Sequence, residues 1–299
     1  MNKVVIIVDS TCDLPKEVVE EKGIVIVPLT VNFPDATYYD GVDITTDKLY
    51  ELVAEKNVLP KTAAITLGEI YNVFEKYINL GYDIIYTGIS SHMSKSYENA
   101  VMMSKEFEEG RIEVVDSGNL STGIGLLVLK ACKWREEGKN VHEIADLMRE
   151  TVPYVRSQFI VDTMEYLHKG GRCSGVAKLF GTILKIKPLI GVREGKMSVI
   201  GKPRGKNELC FEKMLELAEE RKKLIMEGID FVVTWVDGND PDWQSEKAKY
   251  SPSVAADVRN ARYRDMELLQ YWFRAVEKYA PWVNKIHFVT WGHLPEWLN

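Results

Sequence analysis

Residues 4–8 are five consecutive β-branched residues, VVIIV, closed by Asp9, and comparable short apolar runs recur at 24–31, 83–89, 112–117 and 159–163. Each run is short for a helix and bounded by polar or glycine positions, as expected of a buried strand. Between them, 69–80, 121–138 and 141–152 carry apolar residues at helical spacing. This alternation predicts an α/β fold with a mostly parallel N-terminal sheet. Near Ser157 the pattern changes: 164–190 reads as helix-rich and a hairpin is expected around Arg193 to Lys196, so a second α/β lobe is predicted from there.

A further change comes at residue 229. Trp134 is the only tryptophan before that point, whereas Trp235, Trp243, Trp272, Trp282, Trp291 and Trp297 crowd the remainder. The join, 211–228, reads as a charged amphipathic helix stopped by Gly228 rather than as a Gly/Ser linker. The expected organisation is therefore an N-terminal lobe over 1–156, a second lobe over 157–228 and a C-terminal α/β segment over 229–299.

Composition narrows the function. With 299 residues, 45% of them hydrophobic, the chain has enough for about two domains with real cores. A net charge of -6 and a pI near 5.6 supply no global basic field, so no nucleic-acid partner is expected. Cys12, Cys132, Cys173 and Cys210 lie far apart without a CxxC pair, which reads as free thiols in a cytoplasmic protein and not as a zinc site. The apolar run at 4–8 is too short for a signal-peptide core or a membrane span.

Three loops at predicted strand ends or helix starts are rich in hydroxyls: DSTCD at 9–13, PKTAAIT at 60–66 and ISSHMSKSYENA at 89–100. In a parallel α/β sheet, ligands collect beyond the carboxyl ends of the strands, and hydroxyls with free N–H groups at a helix N-terminus suit an anion. The plainer alternative is helix capping. No Walker-type phosphate cradle is present, and no histidine or carboxylate pair is placed for proton transfer. His168, Lys169 and Arg172 surround Gly170 and Gly171. They read either as a helix C-terminus with Gly170 in the left-handed conformation or, for Arg172, as a contact to the anion.

In these landmarks, in order, the sequence resembles the DegV family: VDSTCDLP, IVPLTVNF followed by YYDGVDIT, ISSHMSKSYENA, VVDSGNLSTGIGLLVL and FIVDTMEYLHKGGRCSG. The resemblance covers about residues 1–222. It implies a two-lobed fold holding a long-chain fatty acid between the lobes, its carboxylate met by Thr62, Ser90, Ser91 and Ser94, with Arg172 nearby. Two departures stand out: the family's TSQPS is TAAIT here, so Ala63 lacks a hydroxyl, and its SGT is Ser94-Lys95-Ser96. Burying about fourteen methylenes at ~0.8 kcal/mol each outweighs one carboxylate hydrogen bond at ~1.5–3 kcal/mol, so the tail would supply affinity and the loops orientation. The resemblance also implies a partner fatty acid kinase, which Lys202, Arg204 and Lys206 would face, unless they are simply a solvated loop.

Past residue 220 the family's C-terminal portion is replaced, and IDFVVTWVDGNDPDW with RYRDMELLQYWFRAVEKYAPWVNKIHFVTW resembles the start of the Stealth family of sugar-phosphate transferases. That implies a strand delivering Asp237 and Asp240 to a sugar hydroxyl or to Mg²⁺ on a nucleotide diphosphate, and a helix presenting Arg262 and Arg264 to phosphate. The plainer reading of 237–240 is a strand-to-helix turn. Two functions thus compete: a fatty acid carrier that performs no chemistry and needs no cofactor, which the residues favour, and a hexose-1-phosphate transferase of capsular or cell-surface polysaccharide synthesis, incomplete here. A fusion of two truncated pieces is the third reading.

Overall fold

The computed structural model describes residues 3–161, 165–174, 188–202, 212–217, 229–234 and 283–289. It divides into two compact units: Met1–Thr45, Leu59–Thr182 and Ile190–Ile200 form the first, and Thr46–Val58, Ile183–Leu189 and Gly201–Asn299 the second.

The first unit is organised by a parallel four-stranded sheet. Strand β1 (Lys3–Asp9) lies at its centre between β2 (Ile24–Val27) and β6 (Tyr82–Thr87), and β7 (Ile112–Val114) extends it beyond β6. The apolar run of β1 is explained by burial on both faces, since side chains alternate along a strand. Val4, Ile6 and Val8 pack with Ile124, Leu127 and Val128 of α5 (Thr122–Glu136) and with Ile144 and Met148 of α6 (Val141–Thr151). Val5 and Ile7 pack on the other face with Ile70 and Phe74 of α3 (Leu67–Asn79) and Ala100 of α4 (Ser96–Ser104). The α/β reading and the parallel sheet are thus present, and α3, α5 and α6 occupy the three predicted helical stretches.

Two smaller sheets flank this framework. Strand β3 (Thr30–Asn32) pairs antiparallel with β4 (Thr37–Tyr39) on one side and β5 (Lys61–Ala63) on the other. A second four-stranded sheet has the order β8 (Gln158–Ile160), β10 (Leu189–Arg193), β11 (Lys196–Gly201) and β9 (Cys173–Ser174). The predicted hairpin joins β10 to β11, with Glu194 at φ 49° and Gly195 at φ 74°, the two left-handed residues that suit a tight hairpin. Ile190, Val192 and Met197 of this sheet cluster with Met93, and Ile89 and Leu120 pack against them.

The basic segment near 170 is a helix C-terminus: α7 (Glu165–Gly170) ends there, and Arg172 donates to the Gly170 carbonyl at 2.7 Å. The left-handed residue is Gly171, at φ 69°, and not Gly170 as the sequence suggested. Its N–H still reaches the Leu167 carbonyl at 3.2 Å, so the helix runs one residue further before the chain reverses.

In the second unit, α2 (Thr46–Lys56) buries Leu52, and 212–217, part of the predicted amphipathic helix, is helical and buries Leu215. The strand expected from IDFVVTWV is β12 (Ile229–Thr234). It pairs in parallel with β13 (Val283–Val289), register running from Phe231 opposite Ile286 to Thr234 opposite Val289. Residues 175–187 and the rest of 218–299 lie outside the described residues.

Candidate functional site

The hydroxyl loops gather at the carboxyl end of the parallel sheet, all within the first unit. The third loop leaves β6 and enters α4, and two carboxylates hold it. Asp9, at the end of β1, is fully buried and accepts from Ile89 N at 2.7 Å while taking Thr11 N and Oγ1 at 3.1 and 2.5 Å. Burial pushes its carboxyl above the usual 3.8 despite those three donors. Asp116, just past β7, takes Ser91 N at 3.2 Å, Ser91 Oγ at 2.5 Å and Gly118 N at 2.9 Å. These acids come from the two copies of VDS in the chain, at 8–10 and 115–117. The repeated tripeptide at two strand ends was the signal that could have found them.

Within the loop each serine has a distinct environment. Ser90 is fully buried; its Oγ accepts from His92 N at 3.2 Å and its N–H reaches the Asn119 carbonyl at 2.9 Å. The β10–β11 turn closes over it: a Cβ on Gly195 would lie 2.5 Å from Ser90 Oγ and 2.7 Å from His92 Cδ2, so only glycine fits. Ser91 spends its single proton on Asp116, which leaves its oxygen as an acceptor. Half-buried Ser94 contacts Ser96 Oγ at 3.1 Å and receives Ser96 N–H at 3.3 Å.

The second loop is tied to the third. Ile65 N donates to Ser96 Oγ at 3.2 Å, and Asn99 Nδ2 donates to the Ile65 carbonyl at 2.8 Å. Thr66 caps α3 in a reciprocal capping box with Glu69, so the capping alternative is correct for that hydroxyl. At α4 the N-cap, Lys95, makes no side-chain cap bond, but Ser94 Oγ receives the N–H of Ser96, the first helical residue, so capping accounts for part of the role of Ser94 as well. Thr62, in β5, is exposed and its hydroxyl has no hydrogen bond among the described residues.

Ser90, Ser91 and Ser94 thus share one loop, with the 62–66 segment bonded to it. Arg172 is exposed and engaged with Gly170, and among the described residues no hydrogen bond or ion pair joins it to these loops. Lys202 is exposed. Arg204, Lys206, Asp237, Asp240, Arg262 and Arg264 lie outside the described residues. Sequence reasoning missed Asp9, Asp116, Ser96 and Asn99, whose bonds span 31 to 80 residues in three of four cases; the repeated tripeptide marks the two acids, but nothing local marks Ser96 and Asn99.

Fold and loops define an α/β protein in which hydroxyl-bearing loops converge at the strand ends of a parallel sheet. The chain belongs to the DegV family: the family model described as "Uncharacterised protein, DegV family" matches residues 3–250, further than the 222 marked by the sequence landmarks. A DegV domain-containing protein of Clostridium acetobutylicum is 40% identical over 205 residues, 69% of this chain and 74% of that one. A stearic acid-binding protein of Eubacterium ventriosum superposes with TM-score 0.68 at 28% identity, over 84% of this chain and 85% of that one. A DegV protein of Thermus thermophilus, whose structure is described for its fatty acid binding, gives TM-score 0.76 at 23% identity over 97% and 92%. The Stealth conserved region 2 model matches residues 262–299. A capsular polysaccharide phosphotransferase of Streptococcus pneumoniae is 62% identical over 77 residues, 25% of this chain and 23% of that one. Among the described residues no helix is long and apolar enough to cross a membrane.

Proposed function

We propose that this protein is a carrier that binds a long-chain fatty acid by its carboxylate, performs no chemistry on it and presents it to a partner fatty acid kinase. The observation that carries the reading is the bonding of the second hydroxyl loop to the third through Ile65, Ser96 and Asn99. It brings two donor-bearing segments to the strand ends where α/β sheets bind ligands. Fatty acid binding by the related proteins of E. ventriosum and T. thermophilus supports the choice of ligand. Thr62, Ser90, Ser91 and Ser94 are the head-group residues, Arg172 an electrostatic neighbour, and Lys202, Arg204 and Lys206 the kinase-facing surface. A carboxylate only accepts, so donors must face it. Thr62 and Ser94 have the protons to give, whereas Ser91 must first release Asp116. The buried free thiols of Cys12 and Cys132 fit a cytoplasmic location.

The test is organic extraction of freshly purified protein and mass spectrometry of the extract. A stoichiometric C14 to C18 fatty acid is expected. Protein that yields none, and takes up none on incubation with palmitate, sinks the reading.

The 62% identity over 77 residues to a capsular phosphotransferase favours a second reading, sugar-phosphate transfer from Asp237, Asp240, Arg262 and Arg264 with Mg²⁺. The chain spans under a quarter of that relative, and phosphoryl transfer needs both substrates and metal held in register by several elements. No sugar-phosphate product is expected from UDP-N-acetylglucosamine, Mg²⁺ and a sugar acceptor. Turnover abolished by Asp237→Ala would make this the first function.

A further inference from the structure

We infer that Ser96, which itself touches no ligand, is the positioning residue that aims the Ser94 proton at the head group, and so sets the preference for a carboxylate over a neutral oxygen. The inference rests on the proposed fatty acid function and deepens it.

Protons and lone pairs at Ser94 and Ser96 decide which hydroxyl donates. Ser96 is fully buried, accepts from Ile65 N at 3.2 Å, and lies 3.1 Å from Ser94 Oγ. One proton lies between the two hydroxyls, and two arrangements are open. If Ser94 donates, the Ser96 proton is left in a buried place with no acceptor among the described residues, an unfavourable arrangement. If Ser96 donates, every group is satisfied: Ser94 receives both the Ser96 O–H and, at 3.3 Å, the Ser96 N–H. The Ser94 proton then remains, on a half-buried side chain, for a ligand oxygen.

The result is a directed chain from Ile65 N–H through Ser96 O–H to Ser94 O–H. Each bond polarises the next, and the chain ends on a donor with both acceptor positions filled, suited to an anion. Asn99 steadies its origin by holding the other side of Ile65 at 2.8 Å. Ser91 is the contrast within the same loop, its proton drawn away from the ligand by Asp116.

The test measures palmitate and hexadecanol affinities, by competition with a fluorescent acyl analogue, for the full chain and for Ser94→Ala, Ser96→Ala, Ser96→Thr and the double Ala variant. Ser96→Ala should weaken palmitate about three- to tenfold and hexadecanol at most about twofold, the charged acceptor feeling the lost polarisation more. Ser96→Thr, which keeps a hydroxyl, should restore the wild-type ratio. In the Ser94→Ala background, Ser96→Ala should cost nothing further. Equal losses for acid and alcohol, or a full loss on top of Ser94→Ala, would overturn the proposal by showing a purely structural role. If Ser94→Ala itself leaves palmitate binding intact, the head-group reading fails and this inference with it; if Ser94→Ala weakens binding and Ser96→Ala does not, only this inference fails. Should Ser96→Ala not fold, Ser96→Cys, a weaker donor of similar shape, replaces it with an intermediate loss expected, and a wild-type ratio there overturns the proposal.

Discussion

Gly88 follows β6 directly and faces Asp9, which makes Gly88→Ala a clean probe of the carboxylate that holds the third loop. A Cβ at this position would overlap Asp9 Oδ2, approach Asp9 Cγ to 2.7 Å and stand 3.5 Å from Asp9 Cβ. Gly88 has no left-handed backbone, so alanine brings no backbone strain and the cost in the folded state is steric. Asp9 is fully buried and has no solvent to swing into; moving it breaks the 2.7 Å bond to Ile89 N. Overpacking of this kind costs ~1–3 kcal/mol and a lost hydrogen bond to a carboxylate ~1.5–3 kcal/mol. The smaller entropy of the unfolded alanine chain returns ~0.4–1 kcal/mol. The expected net loss is roughly 2–5 kcal/mol, read by urea denaturation followed by circular dichroism. In an Asp9→Ala background the nearest remaining Asp9 atom would be Cβ at 3.5 Å, an ordinary contact, so the same methyl should cost less than ~1 kcal/mol. A loss below ~1 kcal/mol in the wild-type background, or an equal loss in both, would refute the account of how Asp9 is held.

Three further outcomes follow from buried groups. Burial raises the Asp9 carboxyl above 3.8, so the folded protein holds that proton more tightly than the unfolded chain. Its contribution is complete below pH 3.8 and is lost as pH rises through the folded value. The stability difference between wild type and Asp9→Asn should therefore shrink from pH 3.8 upward, and a pH-independent difference would contradict this. The Tyr86 hydroxyl is buried with no hydrogen-bond partner among the described residues, while its ring meets Phe74 edge-on at 5.8 Å. Tyr86→Phe should hold or raise stability by up to about 1 kcal/mol, and a clear drop in melting temperature would show that the hydroxyl has a partner. Burial pushes the Cys12 thiol up to about 11, so in the native protein it should resist alkylation at pH 8 until denaturant is added; rapid labelling detected by peptide mass spectrometry would count against it.

What could be read in the sequence was whatever repeats locally. The β1 strand announced itself because five β-branched residues in a row fit a strand buried on two faces, and α3 because its apolar residues recur at helical spacing; the capping box of Thr66 and Glu69 at its start came from the structure. The hairpin expected around Arg193 to Lys196 is present, with its turn at 194–195. The end of α7 was missed by one residue because Gly170 and Gly171 are equivalent as letters, and only the backbone angles separate them. Asp9 and Asp116 were missed for a different reason, since the repeated VDS tripeptide marks them without saying what they bind. An aspartate after a strand is an ordinary turn residue, and its role appears only when the chain returns 80 or 25 residues away to place Ile89 N or Ser91 N against it. Hydroxyl direction at Ser91 and Ser94 is likewise a property of neighbours and not of spacing.

Whether the converging loops recognise a carboxylate on a long acyl chain is decided by titration calorimetry of delipidated protein with palmitate and with hexadecanol. The two ligands share nearly the same apolar area, so their difference isolates the head group. Palmitate should bind saturably and one-to-one, tighter than hexadecanol by about tenfold or more, with that advantage lost in Ser94→Ala. Equal affinities for acid and alcohol, or no saturable binding of palmitate, would contradict that recognition.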